Sequence, residues 1–297
     1  MRHLLTVTDL DAAEVATVLD LATSDDLRPV LARHGVALIF EKPSNRTRQS
    51  MEIAVAQLGG HPVYTRGEEV GFDVRETVED VTRVMAGYHA VLAARVFDHG
   101  VVERMAAVSS VPVVNMLSDF AHPLQALADV LTMQQVHGPL DGRTVAWVGD
   151  YNNVARSLAE CCVLVGANVS LCCPVGYSAD EAEIERLNLL GDGSVRQTHR
   201  PVEAVAGAIA VHTDTWTSMG QETEKEQRKQ AFEGFQVDEA LMAAAEPAAC
   251  FYHCLPAYRG VEVSADVIDG PHSRVIEQAH NRLHAARGML AFLMGVR

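Results

Sequence analysis

Short apolar runs recur along the chain and alternate with segments of helical periodicity. Near-continuous apolar runs of this kind are typical of strands buried on both faces of a parallel sheet. The runs lie at residues 36–40, 91–94, 111–114, 144–148, 169–173, 208–211 and 250–254. Since helical patterns fill the gaps between them, the sequence predicts an α/β fold with doubly wound parallel sheets.

Two helices can be placed from pattern alone. Asp11 followed by Glu14 matches a helix N-cap with an acidic residue three positions on. Apolar residues at positions 15, 18, 19 and 22 then form one helix face. A second helix is predicted near residues 278–294, with apolar side chains at 279, 283, 286, 290 and 293 on one side.

The segment H-G-P-L-D-G at residues 137–142 is the best candidate for a domain boundary. It separates a helix rich in Ala and Leu from a new strand. We therefore expect a first domain at residues 1–137 and a second at 138–277. Two α/β domains of similar size leave a cleft between them, which is a common place for small-molecule sites.

Composition narrows the class of protein. The 297 residues are 48% hydrophobic and carry a formal net charge of -15, which disfavours a nucleic-acid binder. No apolar stretch reaches the length of a membrane-spanning helix. The N-terminal segment turns acidic before an apolar signal region develops, and the six cysteines lack the spacing of a secreted disulfide framework. We expect a cytoplasmic protein that binds neither nucleic acid nor membrane.

The first polar motif is S-N-R-T-R at residues 44–48, directly after the apolar run 36–40. A helix start presents unpaired backbone N–H groups and a partial positive charge. Hydroxyls and a guanidinium added there form a phosphate cradle. The alternative interpretation is an ordinary helix N-cap with solvated arginines.

The second motif is H-P-L-Q at residues 122–125. Proline suits the first turn of a helix, and residues three apart share a helix face. His122 and Gln125 could therefore hold a carbonyl oxygen and an amide. The alternative is a capping His with a surface Gln.

The segment V-G-D-Y-N-N at residues 148–153 lies where a dinucleotide-binding turn would begin. The G-x-G-x-x-G pattern is absent, because Tyr151 stands at the second glycine position and would hinder a pyrophosphate. We interpret Asn152 and Asn153 as amides presented to a ligand at the carboxyl end of a strand. An Asn-rich loop that caps a helix is the alternative.

The segment D-T-W-T-S-M-G at residues 214–220 follows another apolar run. A carboxylate near a backbone turn can hold an α-ammonium group, and Asp214 with Ser218 could do so. A flexible surface loop is the alternative.

The last strand-end motif is Y-H-C-L-P at residues 252–256. Cys254 beside His253 allows three interpretations: a nucleophile, a metal ligand or a core residue. A zinc site is disfavoured because no third ligand has the required spacing nearby. A cysteine nucleophile needs a histidine beside its thiol, but neighbouring residues on a strand point to opposite faces. A buried core cysteine is the simplest interpretation, and we expect no metal.

In this order, the motifs resemble the aspartate/ornithine carbamoyltransferase family over essentially the whole chain. S-x-R-T-R and H-P-x-Q are similar to the carbamoyl phosphate site that the family shares. D-x-W-x-S-M-G, H-C-L-P and A-H-N-R-L-H-A at residues 279–285 are similar to its ornithine branch. The resemblance implies an active-site cleft between two parallel-sheet domains, with a C-terminal helix (residues 278–297) that packs back on the first.

The resemblance also implies an activity and a set of site residues. The activity is transfer of the carbamoyl group of carbamoyl phosphate to the δ-amine of ornithine, by a homotrimer without a cofactor. Arg95, His122 and Cys254 would take part in the chemistry. The residues that would bind carbamoyl phosphate are Ser44, Asn45, Arg46, Thr47, Arg95, His122, Gln125, Cys254, Leu255 and Arg282. Those that would bind ornithine are Asn153, Asp214, Ser218 and Met219.

Four positions depart from the pattern of the family. Asn45 stands where Thr is usual, Tyr151 where Gly is common, and His280 where Glu is common. Gly71 occupies a position where many relatives carry a Gln or His that reaches the neighbouring subunit's donor site.

Other hypotheses for the function are a carbamoyltransferase for putrescine or an acylated ornithine, a nucleotide-dependent oxidoreductase, and a non-catalytic relative.

Overall fold

The computed structural model describes residues 1–217 and 222–297. The chain forms two compact units, the first of residues 1–128 and 280–297 and the second of residues 129–279. Each unit contains one wholly parallel sheet, so the predicted α/β class with parallel sheets is confirmed.

The sheet of the first unit has four strands in the order β2-β1-β3-β4. Its helices and strands are, in chain order, α1 (Ala12–Thr23), β1 (Gly35–Phe40), α2 (Asn45–Gln57), β2 (His61–Arg66), α3 (Gly67–Val70), α4 (Val78–Ala86), β3 (His89–Arg95), α5 (His99–Val108) and β4 (Val113–Leu117). A short 3₁₀ turn, Val7–Asp9, precedes α1. The crossovers between parallel strands are helical, as this topology requires.

The sheet of the second unit has five strands in the order β7-β6-β5-β8-β9. Its elements, beginning with a helix that starts in the first unit and ending with one that finishes there, are α6 (Pro123–His137), β5 (Thr144–Val148), α7 (Asn153–Leu164), β6 (Asn168–Cys172), α8 (Glu181–Asn188), β7 (Val195–Thr198), α9 (Pro201–Val205), β8 (Ala208–Thr213), α10 (Lys225–Ala231), α11 (Glu239–Ala243), β9 (Cys250–His253), α12 (Ala265–Ile268) and α13 (Val275–Leu293).

All seven apolar runs correspond to strands, but β2 and β7 have no such run and were not predicted. Both lie at the edge of a sheet. Most residues of β2 are half-buried or exposed, and β7 contains Arg196 and Gln197 among its four residues. An edge strand exposes part of its surface to water, so it need not be continuously apolar.

The opposite edges of the two sheets are covered by further chain segments. Leu4 forms a parallel bridge to Val114 of β4, and Ser273 forms one to Phe251 of β9. These segments pair backbone groups that would otherwise be open to another chain.

The two helices predicted from pattern are confirmed. The Asp11 carboxylate accepts a hydrogen bond from the Glu14 backbone N–H, and the Glu14 carboxylate accepts one from the Asp11 backbone N–H. The C-terminal part of α13 packs in the first unit, as expected. A Cβ added to Gly288 would lie 2.5 Å from the Val18 carbonyl oxygen, so α13 and α1 are in close contact there.

Membrane insertion was not expected from the sequence. Within the described ranges, no helix has both the length and the apolar character needed to span a bilayer.

Candidate active site

The phosphate-cradle motif lies at the start of α2, just beyond the end of β1. Ser44 is the N-cap residue, and its hydroxyl accepts a hydrogen bond from the backbone N–H of Thr47 at 3.4 Å. The same hydroxyl lies 3.2 Å from the Thr47 hydroxyl. Asn45 and Arg46 form the first turn, where the first N–H groups of the helix give a partial positive charge.

Two buried guanidinium groups converge on Thr47. Arg95, at the end of β3, donates to the Thr47 hydroxyl at 3.3 Å, and Arg282 of α13 donates to it at 3.0 Å. Arg95 and Arg282 are only 7% and 5% exposed. Two positive charges held in a desolvated position beside a helix N-terminus strongly favour an anionic ligand.

Arg282 also joins this pair to the second motif. It donates to the Gln125 side-chain oxygen at 2.5 Å and to His122 Nε2 at 3.3 Å. A guanidinium cannot accept a hydrogen bond, so Nε2 is the acceptor and the neutral imidazole carries its proton on Nδ1. Gln125 is buried, which makes the surface-Gln alternative wrong.

His122 is neutral at physiological pH. Burial lowers its pKa well below the usual value, and the positive charges of Arg282, Arg95 and Lys42 lower it further. The ring can therefore donate one hydrogen bond from Nδ1 to a carbonyl oxygen without acting as a cation. We call Thr47, Arg95, His122, Gln125 and Arg282 the donor cluster.

Arg48 lies apart from the donor cluster. It is exposed, pairs with Glu52 at 2.8 Å and lies 3.9 Å from the ring centre of Tyr64. The solvated-arginine alternative therefore holds for Arg48. Arg46 is half-buried in the first turn of α2.

A second group of polar side chains gathers at Asp214 in the second unit. Asp214 follows β8 and is buried. One carboxylate oxygen accepts from the Asn152 amide at 2.9 Å, and the other accepts from the Cys254 thiol at 3.3 Å. These residues follow the carboxyl ends of β5, β8 and β9, which are neighbours in the sheet and end at the same edge. We call Asn152, Asp214 and Cys254 the Asp214 cluster.

The structure brings Asn152 to Asp214, whereas the predicted site contained Asn153. The Asn152 oxygen accepts from the backbone N–H groups of Val154 and Ala155 and so caps α7. Asn153 is the first residue of that helix and is half-buried. Capping and ligand presentation are therefore not alternatives here, because Asn152 caps with its oxygen while its amide nitrogen reaches the cluster.

Cys254 is not a core residue. It is partly exposed, whereas the other five cysteines are buried. It lies just beyond β9, and its thiol donates to the Asp214 carboxylate. The interpretation as core filler is therefore wrong for Cys254.

Asp214 supplies the third metal-type ligand that the sequence spacing did not reveal. The donor atoms of Asp214, His253 and Cys254 lie within 4.8 Å of one another. However, His253 Nδ1 accepts from the Leu255 backbone at 2.9 Å, and Nε2 donates to the buried carboxylate of Glu262 at 3.3 Å. Since both ring nitrogens are engaged, hydrogen bonding accounts for this arrangement.

Leu255 adopts a left-handed backbone conformation with φ of 59°, followed by a cis peptide bond to Pro256. A bulky residue in this region is strained unless its surroundings hold it there. The hydrogen bond to His253 is one such restraint. The sequence did not indicate this role for His253.

Ser218 and Met219 of the predicted ornithine site lie outside the described residues. Arg228, which the sequence analysis did not single out, binds elements next to this segment. It donates to Asp150 at 2.7 Å and to the Trp216 carbonyl oxygen at 3.1 Å. In the sequence, Arg228 stands at the end of a run rich in charged residues, E-T-E-K-E-Q-R at residues 222–228.

The departure at Gly71 has a backbone cause. Gly71 ends α3 with φ of 62°, and a Cβ there would meet the Arg75 side chain at 3.0 Å. Asp73 is held by Arg104, which also binds Glu79. A Gln or His at position 71 would therefore need a different loop conformation.

Two family models cover most of the chain. The carbamoyl-P binding domain of aspartate/ornithine carbamoyltransferase matches residues 2–135, and the Asp/Orn binding domain matches residues 141–293.

The chain belongs to the aspartate/ornithine carbamoyltransferase family. An ornithine carbamoyltransferase from Parafrankia sp. is 45% identical over 99% of this chain and 96% of the relative. The anabolic ornithine carbamoyltransferase of Pyrococcus furiosus is 44% identical over 99% of this chain and 96% of its own length.

A solved structure of an ornithine carbamoyltransferase from Pyrococcus furiosus is similar throughout. It aligns with a TM-score of 0.94 at 43% identity, covering 100% of this chain and 98% of that one. Within the family's two-domain scheme, most of the donor cluster falls in the carbamoyl-P match and the Asp214 cluster in the Asp/Orn match. Arg282 is the exception, since it lies in the second match but packs in the first unit.

Proposed function

We propose that this chain transfers the carbamoyl group of carbamoyl phosphate to the δ-amine of L-ornithine, giving L-citrulline and phosphate. The observation that carries the proposal is the convergence of Arg95 and Arg282 on Thr47 beside a neutral His122. This arrangement combines an anion site with an uncharged hydrogen-bond donor. Carbamoyl phosphate presents a phosphate and a carbonyl oxygen to match both.

The donor would bind with its phosphate at the start of α2. Ser44, Asn45, Arg46 and Thr47 supply hydroxyl and backbone N–H donors there, and Arg95 with Arg282 supplies the positive charge. The carbamoyl group would then lie against His122 and Gln125. The Gln125 oxygen is suited to accept from the carbamoyl NH₂ group.

The chemical step is attack by the neutral δ-amine on the carbonyl carbon of carbamoyl phosphate. A C–N bond forms, negative charge develops on the carbonyl oxygen, and the C–O bond to phosphate then breaks with its electron pair leaving on phosphate. The Nδ1–H of His122, the Arg95 guanidinium and the Thr47 hydroxyl would stabilise the developing charge. The departing phosphate can take the proton that the amine loses.

The acceptor would bind at the Asp214 cluster. Asp214 would pair with the α-ammonium group of ornithine, with Asn153, Ser218 and Met219 fixing the rest of its amino-acid head. Cys254, with Leu255 next to it, would orient the δ-amine through its thiol. Putrescine has no carboxylate for such a site, and acylation of ornithine would remove the charge that pairs with Asp214.

Oligomeric state, location and biological role are inferred from the same family relationship. We infer a homotrimer in the cytoplasm, with a role in arginine biosynthesis. The reaction as derived needs no cofactor or metal, because both substrates supply their own reacting groups. Gly71 has no side chain with which to complete the donor site of a neighbouring subunit.

An acceptor panel tests the proposal. Purified protein is incubated with carbamoyl phosphate and ornithine, putrescine, N-acetylornithine, aspartate or lysine, and the ureido product is measured. Product from ornithine alone is expected, and Arg46→Ala should abolish donor binding. If product formed only with another amine, the donor-site assignment would stand and ornithine would be refuted as the acceptor. If folded protein gave no product with any amine, the carbamoyltransferase activity would be refuted.

A further inference from the structure

Ser118 lies at the end of β4, four residues before His122, and its hydroxyl is fully buried. Together with Ala121 it closes the turn that leads into His122: the Ser118 backbone N–H donates to the Ala121 carbonyl at 3.0 Å, and the Ala121 backbone N–H donates to the Ser118 hydroxyl at 3.2 Å. The orientation of His122 therefore depends on this turn.

The Ser118 hydroxyl oxygen can accept two hydrogen bonds, and two N–H donors already point to it. A third donor would exceed that number. The Asn115 amide donates to it at 3.1 Å, and the Ala121 N–H is the second donor. A hydroxyl has two lone pairs and one proton to give. These two donors use the lone pairs, and the hydroxyl proton then points to His99 Nδ1, which lies 2.7 Å away.

His99 can accept that proton only while its ring is neutral. Protonation turns Nδ1 into a donor, so that three N–H groups compete for two lone pairs on Ser118. The hydroxyl proton would have to turn to the Ala121 carbonyl, which lies 3.4 Å away and already accepts from the Ser118 backbone at 3.0 Å and from the Asn115 amide at 3.3 Å. The Asn115 amide also donates to the Leu5 carbonyl at 2.9 Å. Three donors would then share the two lone pairs of the Ala121 carbonyl oxygen, so protonation works against the turn.

Burial and the nearby carboxylates act on the pKa of His99 in opposite directions. His99 is the first residue of α5, whose positive end disfavours a cation. Burial lowers its pKa from the usual value, while Glu103, Asp119, Asp9 and Asp98 raise it and so oppose that effect in part. Phe120 packs against the ring with the two ring centres 5.1 Å apart.

We propose that His99 is a positioning residue for the donor cluster, which holds the turn before His122 in place when its ring is neutral and loosens it when protonated. The kinetic consequence rests on the proposed function. The site would then lose donor affinity in acid through a residue that touches neither substrate.

The test compares wild type with His99→Asn and His3→Asn. In His99→Asn, the side-chain oxygen of the new amide could take the place of Nδ1 as acceptor, but the amide does not titrate. His3 is the matched control, because its Nδ1 accepts from the Val113 backbone at 3.1 Å near the start of β4 and its pKa is also lowered by burial. The measured quantity is kcat/KM for carbamoyl phosphate at saturating ornithine, from about pH 5 to 8.

The ratio of wild type to His99→Asn should be near unity at the alkaline end and fall about tenfold in acid, equivalent to about 1.4 kcal/mol. Ionisation of the substrates is common to all three proteins and cancels in this ratio. The ratio of wild type to His3→Asn should stay constant. The proposal would be overturned if kcat/KM for carbamoyl phosphate declined in acid as much in His99→Asn as in wild type. It would also be overturned if that decline disappeared in His3→Asn.

A second measurement separates this proposal from the proposed function. The ring signals of His122 are followed by NMR over the same pH range, with assignment from His122→Asn. They should shift with the titration of His99 in wild type and stay constant in His99→Asn, even if no acceptor is carbamoylated. Unchanged His122 signals in wild type would refute the positioning role, whatever the activity.

Discussion

At the scale of single residues, Arg282 connects the parts of the donor cluster. Its two terminal nitrogens contact Thr47, Gln125 and His122, residues that lie far from it in sequence. A lysine would keep the charge but could not reach three partners from one rigid fork. The guanidinium shape therefore matters here as much as the charge.

Arg282→Lys should weaken carbamoyl phosphate binding about 100-fold, because charge-assisted hydrogen bonds are lost at a buried anion site. Isothermal calorimetry with carbamoyl phosphate measures this change. Arg287→Lys is the matched control, since Arg287 lies on the same helix but binds the Ala22 and Ser24 carbonyls. Equal losses in the two variants would show that the effect is structural and not a property of the donor site.

Asp214→Asn tests the acceptor site with little change of shape. Removing the negative charge should raise the KM for ornithine about 100-fold and leave carbamoyl phosphate binding unchanged, because the α-ammonium would lose a buried ionic partner. Steady-state kinetics with each substrate varied separately provides the measurement. Asp269→Asn, which breaks an exposed ion pair with Arg259, should leave both constants unchanged. An unaltered KM for ornithine in Asp214→Asn would refute the acceptor assignment.

At the scale of elements, most functional side chains stand where a parallel strand ends or a helix begins. Arg95, Asp214 and Cys254 lie at strand ends, and Ser44 and Asn152 are helix N-caps. Polar groups suit these positions because the backbone there has unpaired donors and acceptors. The pattern of apolar runs located the motifs that contain Ser44, Asn152, Asp214 and Cys254, since each of these follows a buried strand closely. Arg95 was assigned from the family resemblance.

The N-cap of α2 should have two effects, one on stability and one on binding. Ser44→Ala should lower the free energy of unfolding by about 1 kcal/mol and also weaken carbamoyl phosphate binding. Thr77→Ala removes the N-cap of α4, where the Thr77 hydroxyl accepts from the Asp80 N–H at 3.1 Å. It should cost a similar stability without any change in binding. Urea unfolding and calorimetry measure both quantities, and equal binding by the two variants would exclude a role for Ser44 in the donor site.

At the scale of the whole molecule, stability should depend on pH through buried neutral histidines. His212 stacks on Tyr252 with ring centres 4.7 Å apart, and burial lowers its pKa from 6.5 to about 3. Below pH 6.5 this residue is protonated in the unfolded chain but stays neutral in the folded chain until the pH approaches 3. Its contribution to stability is therefore complete above that pH and is lost progressively as the pH falls towards 3.

His212→Phe should make the acid decline in stability shallower. Phenylalanine keeps an aromatic ring against Tyr252 but does not titrate. The free energy of unfolding in urea is measured from about pH 7 down to 4 for wild type, His212→Phe and the exposed control His34→Asn. The two histidine variants should differ in slope, with the control following wild type. Parallel curves for wild type and His212→Phe would contradict the assignment of a strongly lowered pKa to His212.

The α/β class and the positions of the strand-end motifs could be predicted without a structure. Strands buried on both faces must be apolar along their length, and helix starts and strand ends need particular polar residues, so both leave a local pattern. The edge strands β2 and β7 were not predicted, because strands that are partly exposed to water need not be continuously apolar. The family resemblance rested on the same local motifs.

Only the tertiary structure decided which distant side chains meet. Arg282 reaches Gln125 across 157 positions of sequence, and Cys254 meets Asp214 across 40. The hydrogen bond between Asn152 and Asp214, the restraint of Leu255 by His253, and the hydrogen bond between His99 and Ser118 depend on how strands and helices pack. No local pattern records such contacts, because each residue type would suit many other positions until the fold places its partner.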